Sequence, residues 1–176
     1  MNHRFLLLPV AAVVASVPAA AKVYLTVEQA QALMFPGATF TKDFRTLSDD
    51  QVRAIEKASD VGVRHREVMA WRASTGGWFI ADEVVGKHEF IPIALALDAD
   101  GAVKDVEILE YREAYGDQVR EPAWRAQFTG KRHGARLKLN YDIVNLSGAT
   151  LSSRHVTDGV KRLLATYAFV LASPGR

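Results

Sequence analysis

Residues 91–109 have the sequence IPIALALDADGAVKDVEIL, and this stretch decides the fold class. Two apolar segments, Ile91 to Leu97 and Val103 to Leu109, flank Asp98-Ala99-Asp100-Gly101. An Asp-Gly pair tolerates the positive φ that tight turns need, so the two segments are predicted to form a β-hairpin. A calcium loop needs more oxygen ligands than this stretch offers, and we therefore expect a plain turn.

Two further strands are predicted before this hairpin. Residues Glu67 to Ala73 and Trp78 to Val85 are rich in apolar and aromatic residues, and Ser74-Thr75-Gly76-Gly77 separates them with turn-forming residues. The four segments together indicate an antiparallel sheet.

Helices are predicted on both sides of this sheet. Thr26 and Ser48 are typical caps for two short N-terminal helices, and Glu121 to Phe128 is predicted as a third, ending at Gly130. A last helix is expected to begin at Ser152 or Ser153. Its apolar face comprises Val156, Val160, Leu163, Leu164, Tyr167 and Leu171. The predicted fold class is therefore α+β: N-terminal helices, an antiparallel sheet, and a C-terminal helix that follows a loop.

Composition excludes several classes of protein. A chain of 176 residues fits one domain, and an apolar content of 49% is enough for a folded core. A net charge of +2 gives no basic face for nucleic acid, so no nucleic-acid partner is expected. Since the chain has no cysteine, disulfides, iron–sulfur clusters and cysteine-bound zinc are excluded.

The N-terminus has the layout of a secretory signal peptide. Asn2-His3-Arg4 is a short basic start, Phe5 to Val17 is an apolar run, and Ala19-Ala20-Ala21 supplies small residues for a signal peptidase. The alternative, a membrane anchor, needs about 20 apolar residues, and the run is shorter than that. We expect residues 1–21 to be removed and the mature protein to be periplasmic or otherwise extracytoplasmic.

The most unusual stretch is Leu146-Ser147-Gly148-Ala149-Thr150-Leu151-Ser152-Ser153. Small residues precede Thr150, so its backbone can be approached closely, and further hydroxyls surround it. A helix that begins directly afterwards presents free backbone N–H groups, which favour a phosphate. On these residues alone, a helix N-cap with spare hydroxyls is the favoured interpretation.

The segment Ser147 to Ser153 resembles the flavin-attachment signature of the FMN-binding domain family. That family includes one flavin-carrying component each of the sodium-translocating NADH:quinone oxidoreductase and the Rnf complex, and small exported single-domain proteins. In it, the Thr of Ser/Thr-Gly-Ala-Thr carries FMN through a phosphoester, and a magnesium-dependent flavin transferase attaches the group from FAD. The resemblance implies covalent FMN on Thr150, with Ser147, Gly148, Ala149, Ser152 and Ser153 around it.

The resemblance extends along most of the chain, from about Val23 to Leu171. It includes Gly86-Lys87-His88-Glu89, the turn at Asp98, Glu107 to Glu113 and Trp124 to Lys131. Residues 22–176 are accordingly expected to be one FMN-binding domain.

One position departs from the pattern. Many members have an Asp three residues before the Ser/Thr, and here Val144 occupies that position. Strand alternation would place Asp142 on the same face, so we hypothesise that Asp142 replaces the missing acid. A second Gly-Ala-Thr at Gly37-Ala38-Thr39 lacks both the preceding Ser and the hydroxyl-rich helix start, and Thr39 is interpreted as structural.

Several residues outside the motif are candidates for contacts with the flavin. Trp124 and Phe128 are four residues apart on one predicted helix and share a face, so they are expected to form an apolar wall. By the resemblance, Glu113 lies near the flavin; Glu113 and Gln127 are candidate hydrogen-bond partners for the ring, and Lys131 for the phosphate. The alternatives are core packing for the aromatic residues and a surface position for the polar ones.

Three functions remain open at this stage. The first is an exported electron carrier, soluble or membrane-associated, that exchanges electrons with a partner redox protein or membrane complex. The second is a flavin-dependent reductase of a small extracytoplasmic substrate, for which no catalytic residue is assigned. The third is a cofactor-free binding or assembly module. The spacing of the five histidines matches no metal motif, so no metal site is expected.

Overall fold

The structure is a computed structural model that describes residues 22–172. The predicted signal peptide, residues 1–21, lies outside the described residues. Between residues 22 and 172, no helix combines the length and the apolar composition needed to cross a membrane.

Eight strands and four α-helices follow one another along the described chain. The strands are β1 (Lys22–Val23), β2 (Phe40–Lys42), β3 (Arg45–Thr46), β4 (Glu67–Ala73), β5 (Trp78–Val85), β6 (Phe90–Leu97), β7 (Val103–Ile108) and β8 (Glu110–Tyr111). The helices are α1 (Val27–Met34), α2 (Asp49–Ser59), α3 (Pro122–Arg125) and α4 (Thr150–Thr166). Turns of 3₁₀-helix at Asp117–Arg120 and Ala126–Phe128, and a π-helical turn at Tyr167–Leu171, complete the list.

The central sheet has six antiparallel strands. Its order is β2-β4-β5-β6-β7, and β3 also pairs with β4. Strand β1 pairs with β8 in a separate two-stranded ladder. The predicted hairpin is β6–β7, and the Asp98 carboxylate accepts hydrogen bonds from the amides of Ala102 (2.8 Å) and Asp100 (3.3 Å) within its turn. The predicted α+β class is confirmed.

Both faces of the central strands are buried, which explains their continuous apolar sequence. Ile93, Leu95 and Leu97 of β6 belong to a core formed with α2 and α4. The alternate residues Ala94 and Ala96 face a second core, formed with α1. Small alanines on this second face leave room for aromatic side chains, which are Phe35, Phe40, Trp71 and Phe79.

Helix α4 lies against the sheet at a close approach. A methyl group added at Gly159 would overlap Val84 of β5, so only glycine allows this approach. On the next turn, Arg162 is buried and donates to the Asp82 carboxylate (2.8 Å) and to the carbonyls of Glu83 (3.1 Å) and Gly62 (3.3 Å). These contacts fix α4, and with it the loop that precedes α4.

Two sequence predictions of secondary structure are corrected. Helix α4 begins at Thr150 and not at Ser152 or Ser153, because both serines point into the interior and neither acts as a cap. Asp142 lies in a turn between the bridged residues Leu139 and Ile143, so strand alternation does not place it beside Val144. Helix is present at residues 122–128, within the predicted segment Glu121 to Phe128, but only Pro122–Arg125 is α-helix.

We predict that Gly159→Ala destabilises the protein. Overlap with Val84 costs about 1–3 kcal/mol, which outweighs the roughly 1 kcal/mol that alanine contributes to helix stability. Thermal unfolding measures the effect. Gly62→Ala is the matched control, because the nearest atom to a methyl group there is 3.9 Å away. Equal melting temperatures for Gly159→Ala and wild type would contradict the proposed packing.

Candidate functional site

A tight turn brings the Ser-Gly-Ala-Thr segment back on itself. The Ala149 amide donates to the Leu146 carbonyl at 3.0 Å, and Gly148 at the third position has φ +82°. Positive φ at this position is characteristic of a type II turn and favours glycine. Apart from Gly148 and its two chain neighbours, no described residue has an atom within 4 Å of a Cβ added at Gly148, so the backbone conformation and not crowding requires glycine here.

Thr150 is the first residue of α4 and is exposed. Its hydroxyl oxygen accepts a hydrogen bond from Asn145 Nδ2 at 3.1 Å. Within the described part of the chain no side chain caps the helix at Ala149, so the amides of the first turn remain available. The Thr150 side chain, which is exposed, and free N–H groups therefore lie together at the positive end of a long helix.

An open cavity of about 780 Å³ begins at Thr150. One wall is a face of α4, since Thr150, Arg154, Asp158 and Lys161 follow helical spacing. The opposite wall is the loop 136–141, together with Asn145. Ser59 and Asp60 at the end of α2 complete the lining.

The cavity carries an excess of positive charge. Its four cations, Arg136, Lys138, Arg154 and Lys161, outnumber its two carboxylates, Asp60 and Asp158. Among residues 22–172, no carboxylate lies within ion-pair distance of any of the four. This arrangement favours an anionic ligand.

Tyr141 lies in the same cavity, close to two of these cations. The Lys138 ammonium is 4.6 Å and the Arg136 guanidinium 5.2 Å from the ring centroid. The ring itself is exposed, so the cavity offers an aromatic surface beside its positive charge.

Trp124 and Gln127 hold the loop that leads into the motif. Trp124 Nε1 donates to the Val144 carbonyl and the Val144 amide donates to Gln127 Oε1, both at 2.7 Å. Phe128 is fully buried and packs edge-on against Trp124, with ring centroids 5.2 Å apart. These three residues do not line the Thr150 cavity. They fix the main chain of Val144 and leave its side chain exposed.

The short helical segment is itself anchored to the sheet. Arg125 is buried, pairs with Glu107 of β7 at 2.5 Å, and also donates to the Val106 carbonyl. Burial raises the pKa of Glu107, although Arg125 acts in the opposite direction. A series of contacts therefore connects β7, through Arg125 and Trp124, to the loop that leads into the Ser-Gly-Ala-Thr segment.

Lys131 and Asp142 form an ion pair with N···O 3.2 Å. Asp142 also accepts hydrogen bonds from the amides of Leu137 (3.1 Å) and Lys138 (2.8 Å). Burial acts to raise the pKa of Asp142, but these donors outweigh it and the pKa lies below its usual value. Asp142 thus organises the wall of the cavity, and Asp142→Ala is expected to loosen this loop.

Glu113 performs a similar structural role elsewhere. Its carboxylate accepts from the amides of His88 (2.5 Å) and Glu89 (3.0 Å) and so closes the turn after β5. Burial acts to raise its pKa, while the amide donors lower it below the usual value. The structure does not place Glu113 in the lining of the Thr150 cavity.

The remaining motif residues differ in position. Ser152 lies 2.8 Å from the Tyr111 hydroxyl, which in turn donates to the Tyr115 carbonyl at 2.6 Å. Ser153 is fully buried, Ala149 is buried, and Ser147 and Gly148 are exposed. Among the predicted site residues only Thr150 lines the cavity, since the inner serines serve the packing of α4.

The cavity contains residues that the sequence interpretation missed. They are Arg136, Lys138, Tyr141, Asn145, Arg154, Asp158 and Lys161. Helical spacing from Thr150 points to Arg154, Asp158 and Lys161, whereas the loop residues carry no comparable signal in the sequence.

We predict that Asp158→Asn stabilises the protein at neutral pH. Burial raises the pKa of Asp158 above 3.8, against the opposing charges of His155, Lys161 and Arg154. The folded state therefore binds the proton more tightly than the unfolded state, and stability falls as the pH rises through the raised pKa. The gain from asparagine should be complete above that pKa and disappear below about pH 3.8. Melting temperatures across this range measure it, and an offset that is the same at every pH would contradict the burial effect.

Comparison with known proteins gives one family match. Residues 86–165 match the model of the FMN-binding domain. The match begins at the turn after β5 and continues through β6, β7, β8 and α3 into α4, so it includes Thr150 and most residues of the cavity. A search of curated proteins found no match.

The family match indicates FMN, which carries a phosphate, and the positive charge of the cavity also favours an anionic ligand. Residues 86–165 of this chain match an FMN-binding domain, and this match implies a flavin-binding redox protein.

Proposed function

We propose that FMN is attached covalently to Thr150 through a phosphoester and that its riboflavin part occupies the adjoining cavity. The observation that carries this proposal is the exposed Thr150 hydroxyl at the rim of a cavity whose four cations have no carboxylate partner within residues 22–172. A volume of about 780 Å³ lies within the range of small-molecule sites, which is about 300–1,000 Å³.

The residues present fit the chemistry of the group. Arg154 lies one helical turn after Thr150 on the same face, where it can neutralise a phosphate bound to the threonine oxygen. The free amides at the start of α4 supply further donors. Tyr141 offers a ring surface against which a planar heterocycle can stack. Without an anionic ligand, the four cations would face one another across the cavity with an incomplete counter-charge.

We further propose that the protein is an exported electron carrier. FMN exchanges either one or two electrons, so it connects two-electron donors with one-electron acceptors. A covalent bond retains the flavin where no cytoplasmic pool replaces it. Because Thr150 is exposed at the cavity rim, both a flavin transferase and a redox partner, soluble or in a membrane complex, can reach it.

We predict that Thr150→Ala abolishes covalent flavin. Protein coexpressed with a flavin transferase and exported should fluoresce as a band in a denaturing gel, and Thr150→Ala should remove the band because alanine has no oxygen to carry the phosphoester. The control is Thr39→Ala, since Thr39 lies just before β2, where its amide donates to Ser74 Oγ. A fluorescent Thr150→Ala band would exclude Thr150 as the acceptor.

A further prediction concerns export of the protein. The basic start, apolar run and small residues of 1–21 are expected to direct secretion and be cleaved. N-terminal sequencing of the exported protein should begin at Lys22 or within a residue or two of it. A membrane-bound product that still begins with Met1 would show that the segment is an anchor.

A further inference from the structure

The amide of Asn145 contacts the proposed acceptor oxygen directly. Asn145 Nδ2 lies 3.1 Å from Thr150 Oγ1, and both residues line the cavity. The turn between them is closed by the bond from Ala149 to Leu146, and the residue before Asn145 is held on both sides by Trp124 and Gln127. The contact is thus fixed by the main chain at both ends.

Hydrogen bonding within the protein does not explain why an asparagine occupies position 145. Its other amide atom, Oδ1, is buried and accepts no hydrogen bond within residues 22–172. Turning the amide over would bring Oδ1 to Thr150 and leave Nδ2 buried in its place. In either orientation one polar atom lacks a partner among these residues, which is costly, so an apolar side chain of the same size should be at least as stable here.

We propose that Asn145 is a positioning residue for flavin attachment, an inference that rests on the proposed function of Thr150. A donated hydrogen bond fixes the threonine side chain in one rotamer without taking up its hydroxyl proton. The same donor suits the product, because an ester oxygen can accept a hydrogen bond but cannot donate one.

The attachment step is balanced in atoms and electrons. Thr150 Oγ1 forms a bond to the phosphorus on the FMN side of FAD, and the bond from that phosphorus to the bridging oxygen breaks. AMP leaves with the bridging oxygen, the hydroxyl proton passes to a base of the transferase, and no group is oxidised or reduced. Asn145 acts only by orienting the attacking oxygen.

The test measures the rate of flavin attachment and the stability of the same variants. Purified apoprotein is incubated with a flavin transferase, FAD and magnesium, and intact mass records the covalent product over time. Asn145→Leu should slow attachment about tenfold through kcat, with little change in KM for the apoprotein. Its melting temperature should equal or exceed that of wild type, whereas a merely structural role would lower it.

The Asn145→Asp variant distinguishes the effect of losing the N–H donor from the effect of changing the shape of the side chain. Aspartate keeps the shape but only accepts hydrogen bonds, so attachment should be slowed to a similar extent. The control is Gln118→Glu, which makes the same amide-to-carboxylate change at an exposed position outside the cavity and should leave the rate near that of wild type.

The outcomes distinguish this inference from the function on which it rests. Wild-type rates in Asn145→Leu, or a rate at or above wild type in Asn145→Asp, would overturn the role of the amide donor while leaving Thr150 as the acceptor. A wild-type protein that takes up no flavin from a transferase active on another acceptor would overturn both.

Discussion

The structure depends on the packing of α4 across the buried face of the sheet. Gly159 allows the helix to approach Val84, and Arg162 ties the following turn to Asp82 on the same strand. Since Thr150 is the first residue of this helix, the packing also determines where the proposed acceptor hydroxyl lies. The packing of the core therefore also fixes, through helix α4, the position of Thr150 in the site.

A second set of contacts positions the other side of the site. Arg125 anchors the short helical segment to β7, and Trp124 and Gln127 of this segment hold the main chain of Val144. Asp142 performs the same task for the loop 136–141 through backbone amides and Lys131. The cavity therefore lies between two rigidly supported walls, which is the arrangement expected of a preorganised binding site.

Strands β4 to β7 and the first two helices were predictable because their signals are local. The Asp98 turn, the caps at Thr26 and Ser48 and the apolar runs of β4 to β7 each specify structure within a few residues. The start of α4 was misplaced because Ser152 has the chemistry of a cap, whereas in the fold it contacts Tyr111, 41 residues away in sequence. Trp124, Gln127 and Phe128 were expected to contact the flavin ring. In the structure Trp124 and Gln127 bind the backbone of Val144, Phe128 packs against Trp124, and none of the three lines the cavity. The cations of the loop 136–141 could not be foreseen, because only the tertiary fold brings them opposite α4.

The attachment of FMN to Thr150 is tested most directly by locating the modification within the chain. Trypsin releases residues 139–154 as one peptide, which contains Ser147, Thr150, Ser152 and Ser153. In protein matured with a flavin transferase, we predict that this peptide gains the mass of FMN less one water and that fragment ions place the gain on Thr150. A gain located on one of the three serines, or an unmodified peptide from fully exported protein, would contradict the proposed site.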